Sequence, residues 1–265
     1  MTFDKKFYEF VGDCSYLLAR DFIDGAFSVA VNYRNSGNDI VRRSITVFSN
    51  DKQVEVFTDA RVKLDGQLVE MPLTFHNTTI MRMGHIIRID NTKGVTVDCH
   101  LVQNRCTVNV TGWYFGKTAG LFGTYNNEPV DDFTTSSNSI SSDVGSFAQT
   151  WSMGTRCSAM NHATTVTAAP STQQYRVCAA LFKNEFSQFR PCFKIIEPSA
   201  FMTMCINDIA TNVNRQPTEQ DTCRIAAFYV DECRREGVPV RVPKTCGTYF
   251  YSTDCILIEF VLFGL

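Results

Sequence analysis

Short apolar runs separated by polar turn clusters fill the first half of the chain. Residues 27–33 (FSVAVNY) carry β-branched and aromatic side chains in the manner of a half-buried strand. Runs 45–48 and 54–57 flank the polar cluster 49–52. Runs 62–64 and 67–69 flank Asp65-Gly66, a pair that favours a two-residue hairpin turn. Runs 86–89 and 95–97 are separated by DNTKG, and a further strand is expected over 106–113. Strands this short at this spacing predict an antiparallel β-sandwich or barrel. A helix is expected over 144–151, with Asp143 as its N-cap.

The pattern then changes. Residues 155–171 are rich in Thr, Ala and Ser, show no apolar period and read as a linker. Beyond them the period is helical. Val177, Leu181 and Phe182 share one face of a segment 173–186; Pro198 precedes Phe201, Met204 and Cys205. Cys223, Ala226, Ala227, Val230 and Cys233 recur through 218–236, with Thr218 as cap and Gly237 as stop. The expected architecture is a mainly β N-terminal domain over 1–157, a linker over 158–172, a small disulfide-bonded α-helical module over 173–246, and an end segment over 247–265.

Composition narrows the function classes. Of 265 residues, 44% are hydrophobic and 20% charged, as in folded globular proteins. The formal charge of −2 argues against nucleic acid as a partner. No apolar run approaches the roughly 18 residues of a membrane span; the longest, 255–265, is broken by Glu259. Eleven cysteines without any C-x-x-C pair fit an oxidising compartment better than a metal ribbon. The sequons at Asn77 and Asn109 agree with a secreted glycoprotein. Because MTFDKKFYEF has no signal-peptide core, a piece of a longer secreted chain is expected.

Candidate chemistry concentrates in GLFGTYNNEPVDDF, residues 120–133. Asn126, Asp131 and Asp132 offer hard oxygens, and the Glu128 carbonyl adds another, in a compact loop suited to calcium but lacking the EF-hand register. The same residue types also build solvated turns, so composition leaves both readings open. Signatures of serine hydrolases, zincins and phosphate-binding loops are absent, and the four histidines are dispersed. A non-enzymatic role is expected.

Three motifs occur in order: Thr2-Phe3-Asp4 with Gly12-Asp13-Cys14-Ser15-Tyr16; Ala119 to Phe133 around GLFGTYNNEPVDDF; and Gly145 to Trp151. Together they resemble the von Willebrand factor type D domain. Cys178-x-x-Leu181, Pro191-Cys192-Phe193 and Cys223 to Cys233 with Tyr229 resemble the cysteine-eight module, and Cys246-Gly-Thr-Tyr resembles a truncated trypsin-inhibitor-like start. The first resemblance implies structural calcium on Asp4, Asn126, Asp131 and Asp132, with Thr124 and the Glu128 carbonyl as weaker ligands. It also implies a Cys14–Cys157 bridge, a Cys99–Cys106 bridge across a hairpin, and three unassigned bridges among Cys178, Cys192, Cys205, Cys223, Cys233 and Cys246. Cys255 is left over.

Departures matter too. Phe122 stands where the family usually carries cysteine, and Ala119-Gly120-Leu121-Phe122 replaces a C-G-L-C associated with covalent multimers. The cysteine-free loop is most similar to arthropod large lipid-transfer proteins, of the apolipophorin and vitellogenin group. That implies other domains of a larger secreted chain, and lipoprotein or receptor partners. The alternatives are an adhesive, clotting or mucin-like glycoprotein and, remotely, a protease inhibitor.

Overall fold

A computed structural model describes residues 1–8, 10, 12, 14–36, 40–154, 171–212 and 216–247, with positions 34–36, 40–42 and 211–212 described by backbone alone. It divides into two compact units, 1–165 and 166–265. The first contains twelve described strands: β1 (Ser15–Asp21), β2 (Phe27–Ser36), β3 (Ile40–Ser49), β4 (Lys52–Phe57), β5 (Val62–Leu64), β6 (Gln67–Leu68), β7 (Leu73–Phe75), β8 (Thr78–Met83), β9 (Ile86–Asn91), β10 (Val95–His100), β11 (Arg105–Val110) and β12 (Thr118–Ala119). They form a seven-stranded sheet, β12-β1-β2-β3-β4-β5-β6, and a five-stranded sheet, β11-β10-β9-β8-β7, with antiparallel neighbours throughout.

Alternation does the sorting. In β9, Ile87, Ile89 and Asn91 are buried while the intervening residues are partly exposed. Val29, Val47 and Val54 of the larger sheet and Ile80, Ile87 and Val97 of the smaller share one core. The turns follow their chemistry: Asn50-Asp51 and Asp65-Gly66 both take positive φ, the geometry of primed hairpin turns. The helix α1 (Val144–Thr150) starts where Asp143 accepts a hydrogen bond from Ser146 N at 2.6 Å. Phe147 and Ala148 of α1 close a second cluster over Tyr16, Val31 and Leu121.

One strand ends earlier than its apolar run. The expected strand over 106–113 stops at Val110, and Gly112–Tyr114 forms a 3-10 turn that buries Tyr114 against Phe27, ring centroids 5.0 Å apart.

The second unit holds α2 (Thr172–Phe182), α3 (Ser199–Asn212) and α4 (Cys223–Arg235). The segment expected over 173–186 is shorter because Asn184 reverses the chain: Lys183 N and Asn184 N both donate to Ala179 O, and Asn184 Oδ1 accepts from Phe186 N. The helix expected over 218–236 is likewise divided. Thr218 and Asp221 cap each other around a 3-10 turn, Glu219–Thr222, and α4 begins only after it. Gly237, at φ +76°, follows as expected.

Bridges hold this small unit: Cys178–Cys205 joins α2 to α3, Cys192–Cys233 joins a 3-10 turn at Arg190–Cys192 to α4, and Cys223–Cys246 joins the start of α4 to Lys244–Cys246. Tyr229 lies at the centre among Phe182, Phe189 and Phe201, its hydroxyl donating to Ile196 O at 2.8 Å. Mainly β first, helical and disulfide-bonded second, is therefore the architecture. The stretch 155–170 and the end segment 248–265 lie outside the described residues.

Candidate metal centre

Strand β12 pairs with β1, placing Asp21 opposite Thr118, and the chain then turns sharply through Gly120. Gly120 has φ +130°, and a Cβ there would lie 2.6 Å from Leu18 O. No other residue fits so close to a neighbouring backbone. Leu121 N and Phe122 N consequently donate to Leu17 O and Leu18 O. Phe122 O in turn accepts from Phe3 N at 2.9 Å, and the two rings meet edge to face at 5.8 Å. That one backbone bond carries the N-terminal Thr2-Phe3-Asp4 to the 126–132 loop. Phe122 thus makes an aromatic contact at the position where the family pattern expects a cysteine.

Asp4, Asp131 and Asp132 converge there, one carboxylate oxygen of each lying within 4.8 Å of the others. Asp4 and Asp132 are buried and Asp131 is half-buried. Asp4 Oδ2 accepts from Asn126 N at 3.1 Å and Glu128 N at 3.0 Å. Asp131 Oδ2 accepts from Asn126 Nδ2 at 2.8 Å, and Asp132 Oδ2 accepts from Thr2 Oγ1 at 2.6 Å. Each carboxylate thus spends one oxygen on orientation. The other, Oδ1 in all three, is buried without a hydrogen-bond donor. Burial, reinforced by the neighbouring Asp4 and Asp131 charges, pushes the Asp132 carboxyl up to about 6, against the lowering bond from Thr2.

Carboxylates that converge, each with a buried Oδ1 that receives no hydrogen bond, suit a hard cation. Gly123 completes the cradle: at φ +72°, a Cβ would stand 2.0 Å from Asp132 Oδ1. The remaining candidates have other positions. Asn126 Oδ1 accepts from Glu128 N at 2.9 Å, closing the loop on itself, and the Glu128 carbonyl accepts from Asp131 N at 3.2 Å. Thr124 lines a cleft with Gly123, Thr134, Thr135 and Trp151. Thr2 and Gly123 are contributors that sequence reasoning left out as individual residues, although both lie inside the quoted motifs.

Other predicted positions are equally specific. Cys99 and Cys106 face each other across β10 and β11 and are bonded. Cys14 is disulfide-bonded, while Cys157 and Cys255 lie outside the described residues. Cys246 is bonded to Cys223, within the set of six that the sequence offered for three bridges. Asn77 and Asn109 are both exposed, at a hairpin turn and on the edge strand β11.

A family model described as von Willebrand factor type D domain matches residues 1–139, and one described as C8 domain matches 177–247. Apolipophorins of Locusta migratoria is 30% identical over 245 residues, covering 92% of this chain and 7% of that protein. Apolipophorins of Drosophila melanogaster is 27% identical over 247 residues, with the same coverage, and Mucin-5B of Homo sapiens is 27% identical over 248 residues, 89% of this chain and 4% of that protein. The chain spans only a small part of the length of these relatives, which are secreted extracellular proteins. Among the described residues no helix is long and apolar enough to cross a membrane.

Proposed function

This chain belongs to the von Willebrand factor type D domain family, and on that footing we propose that it is a non-enzymatic, calcium-stabilised structural module of a large secreted lipid-transfer protein. The observation that carries the calcium reading is the triad of buried, unpartnered Oδ1 atoms on Asp4, Asp131 and Asp132. When bound, calcium would supply the positive charge that these oxygens lack. Asp4 would hold it from the N-terminal segment and Asp131 and Asp132 from the loop, with Asn126, Thr124 and the Glu128 carbonyl as outer candidates. Because the ligands come from sequence positions some 130 residues apart, the ion would fasten the two ends of the β domain together.

The lipid-transfer parent is supported by the apolipophorin relatives and by the cysteine-free Ala119-Gly120-Leu121-Phe122 turn, which offers no thiol for covalent assembly. Lipoprotein or receptor partners would belong to that larger chain, and glycans on Asn77 and Asn109 would be compatible with their exposure.

The test is a thermal melt of the oxidised protein in calcium and in chelator, repeated on Asp131→Asn. We expect a calcium-dependent rise in Tm, corresponding to about 3 kcal/mol at a hundredfold excess over Kd, that the substitution abolishes. Superimposable melts in calcium and chelator would sink the reading.

A further inference from the structure

We propose that the turn after β1 and the 3-10 turn before β12 form a shallow phospholipid-surface anchor, with Trp113 at its tip. Trp113 is 69% exposed, Ile23 59%, Phe115 50% and Phe22 45%, in a domain whose other aromatic residues are mostly packed. The two turns are one surface. Phe22 N donates to Lys117 O at 3.0 Å, and Lys117 Nζ lies 4.4 Å from the Trp113 ring centroid and 3.4 Å from Asp24 Oδ2.

The backbone of these turns suits such a surface. Turns normally leave amide groups to water, and a water-poor interface penalises that. Here Asp21, 1% exposed, collects three of them: its Oδ1 accepts from Ile23 N and Asp24 N, and its Oδ2 from Ala26 N. Across the patch, Tyr114 N donates to Thr111 O, Phe115 N to Gly112 O, Gly116 N to Tyr125 O and Lys117 N to Tyr114 O. The apolar side chains therefore project from turns whose donors are largely satisfied within the protein.

The chemistry favours a lipid surface over a protein pocket. Exposed on these turns are an indole and two phenyl rings beside one ammonium, which is the combination that settles at the headgroup level. The Lys117 ammonium sits over the ring and pairs with Asp24, which lowers the cost of placing that carboxylate near the interface. The inference rests on these turns alone and stands apart from the calcium reading.

The chain has two tryptophans, which gives a site-specific readout. Trp151 donates its Nε1 to Thr134 O at 3.2 Å and is the internal reference. The full oxidised chain is mixed, in calcium buffer, with unilamellar phosphatidylcholine vesicles bearing brominated acyl chains. The expected result is a blue shift and quenching of tryptophan emission, lost in Trp113→Phe. Ile23→Ser with Phe115→Ser should reduce vesicle partitioning at least tenfold with the fold retained, both residues being half or more exposed; the melt should fall only by the edge-to-face Phe115–Tyr125 contact, ring centroids 5.5 Å apart. Unquenched emission at saturating lipid overturns the inference, as does undiminished partitioning of the double variant. So does concentration-dependent pairing of the chain, without lipid binding, that the same substitutions abolish: the surface would then belong to a second copy.

Discussion

At Gly123 a single hydrogen decides whether the carboxylate cradle exists. Gly123→Ala would place a methyl group 2.0 Å from Asp132 Oδ1 in a backbone region that alanine disfavours. We expect a loss of about 2–4 kcal/mol in denaturant unfolding, together with loss of calcium-dependent stabilisation. Thr2→Val tests the opposite side of Asp132 without steric strain. It leaves a fully buried Oδ2 without the donor it has in the native protein, and should cost about 1–3 kcal/mol. A Thr2→Val melt within error of wild type would show that the hydroxyl is incidental. These two residues also mark the limit of what the sequence discloses. Asp4, Asp131 and Asp132 stand in recognisable motifs and offer the right oxygen chemistry, so their candidacy is legible. That Thr2 donates to a residue 130 positions later depends on the Phe3–Phe122 backbone bond, which no local pattern announces.

Elements were legible where period and punctuation agreed. The β-hairpins at Asn50-Asp51 and Asp65-Gly66 follow from turn residues that tolerate positive φ, and α1 follows from its N-cap. The errors occur at helix ends where apolar periodicity runs past a local hydrogen bond: Asn184 stops α2, and the Thr218–Asp221 box delays α4. Tyr114 likewise turns the chain out of its strand because its ring finds Phe27. The cap of α1 gives a pH-dependent prediction. Hydrogen bonding from the Ser146 backbone holds the Asp143 carboxyl below its ordinary value of 3.8. A folded-state value lower than the unfolded one contributes stability above the unfolded value, and that contribution is lost as pH falls through the folded value. Asp143→Ala should therefore melt below wild type at pH 7, and the two melts should converge as the medium is acidified below 3.8. A gap independent of pH would mean that the side chain acts by something other than its charge.

Across the whole molecule the two units are held by different physics, and they should fail under different insults. The β unit buries apolar side chains from two sheets over one long core, with the carboxylate centre at its N-terminal seam. Among its described residues the helical unit has three short helices and three bridges, and its rings gather around Tyr229. Small units with limited cores depend on such staples. The Cys192–Cys233 bridge alone closes 41 positions, for which chain entropy gives about 4 kcal/mol. Hydrogen exchange followed by mass spectrometry separates the two contributions within one chain. Calcium removal should raise exchange in peptides covering 1–8 and 118–135 and leave those of 171–247 unchanged. Mild reduction should release 171–247 first, while β2, β3, β8 and β9 keep their protection, because those strands carry buried apolar side chains of the two-sheet core and no cysteine. If chelation loosened the helical peptides as much as the loop, the ion would be supporting more than the β domain, and its placement at Asp4, Asp131 and Asp132 would not account for the effect.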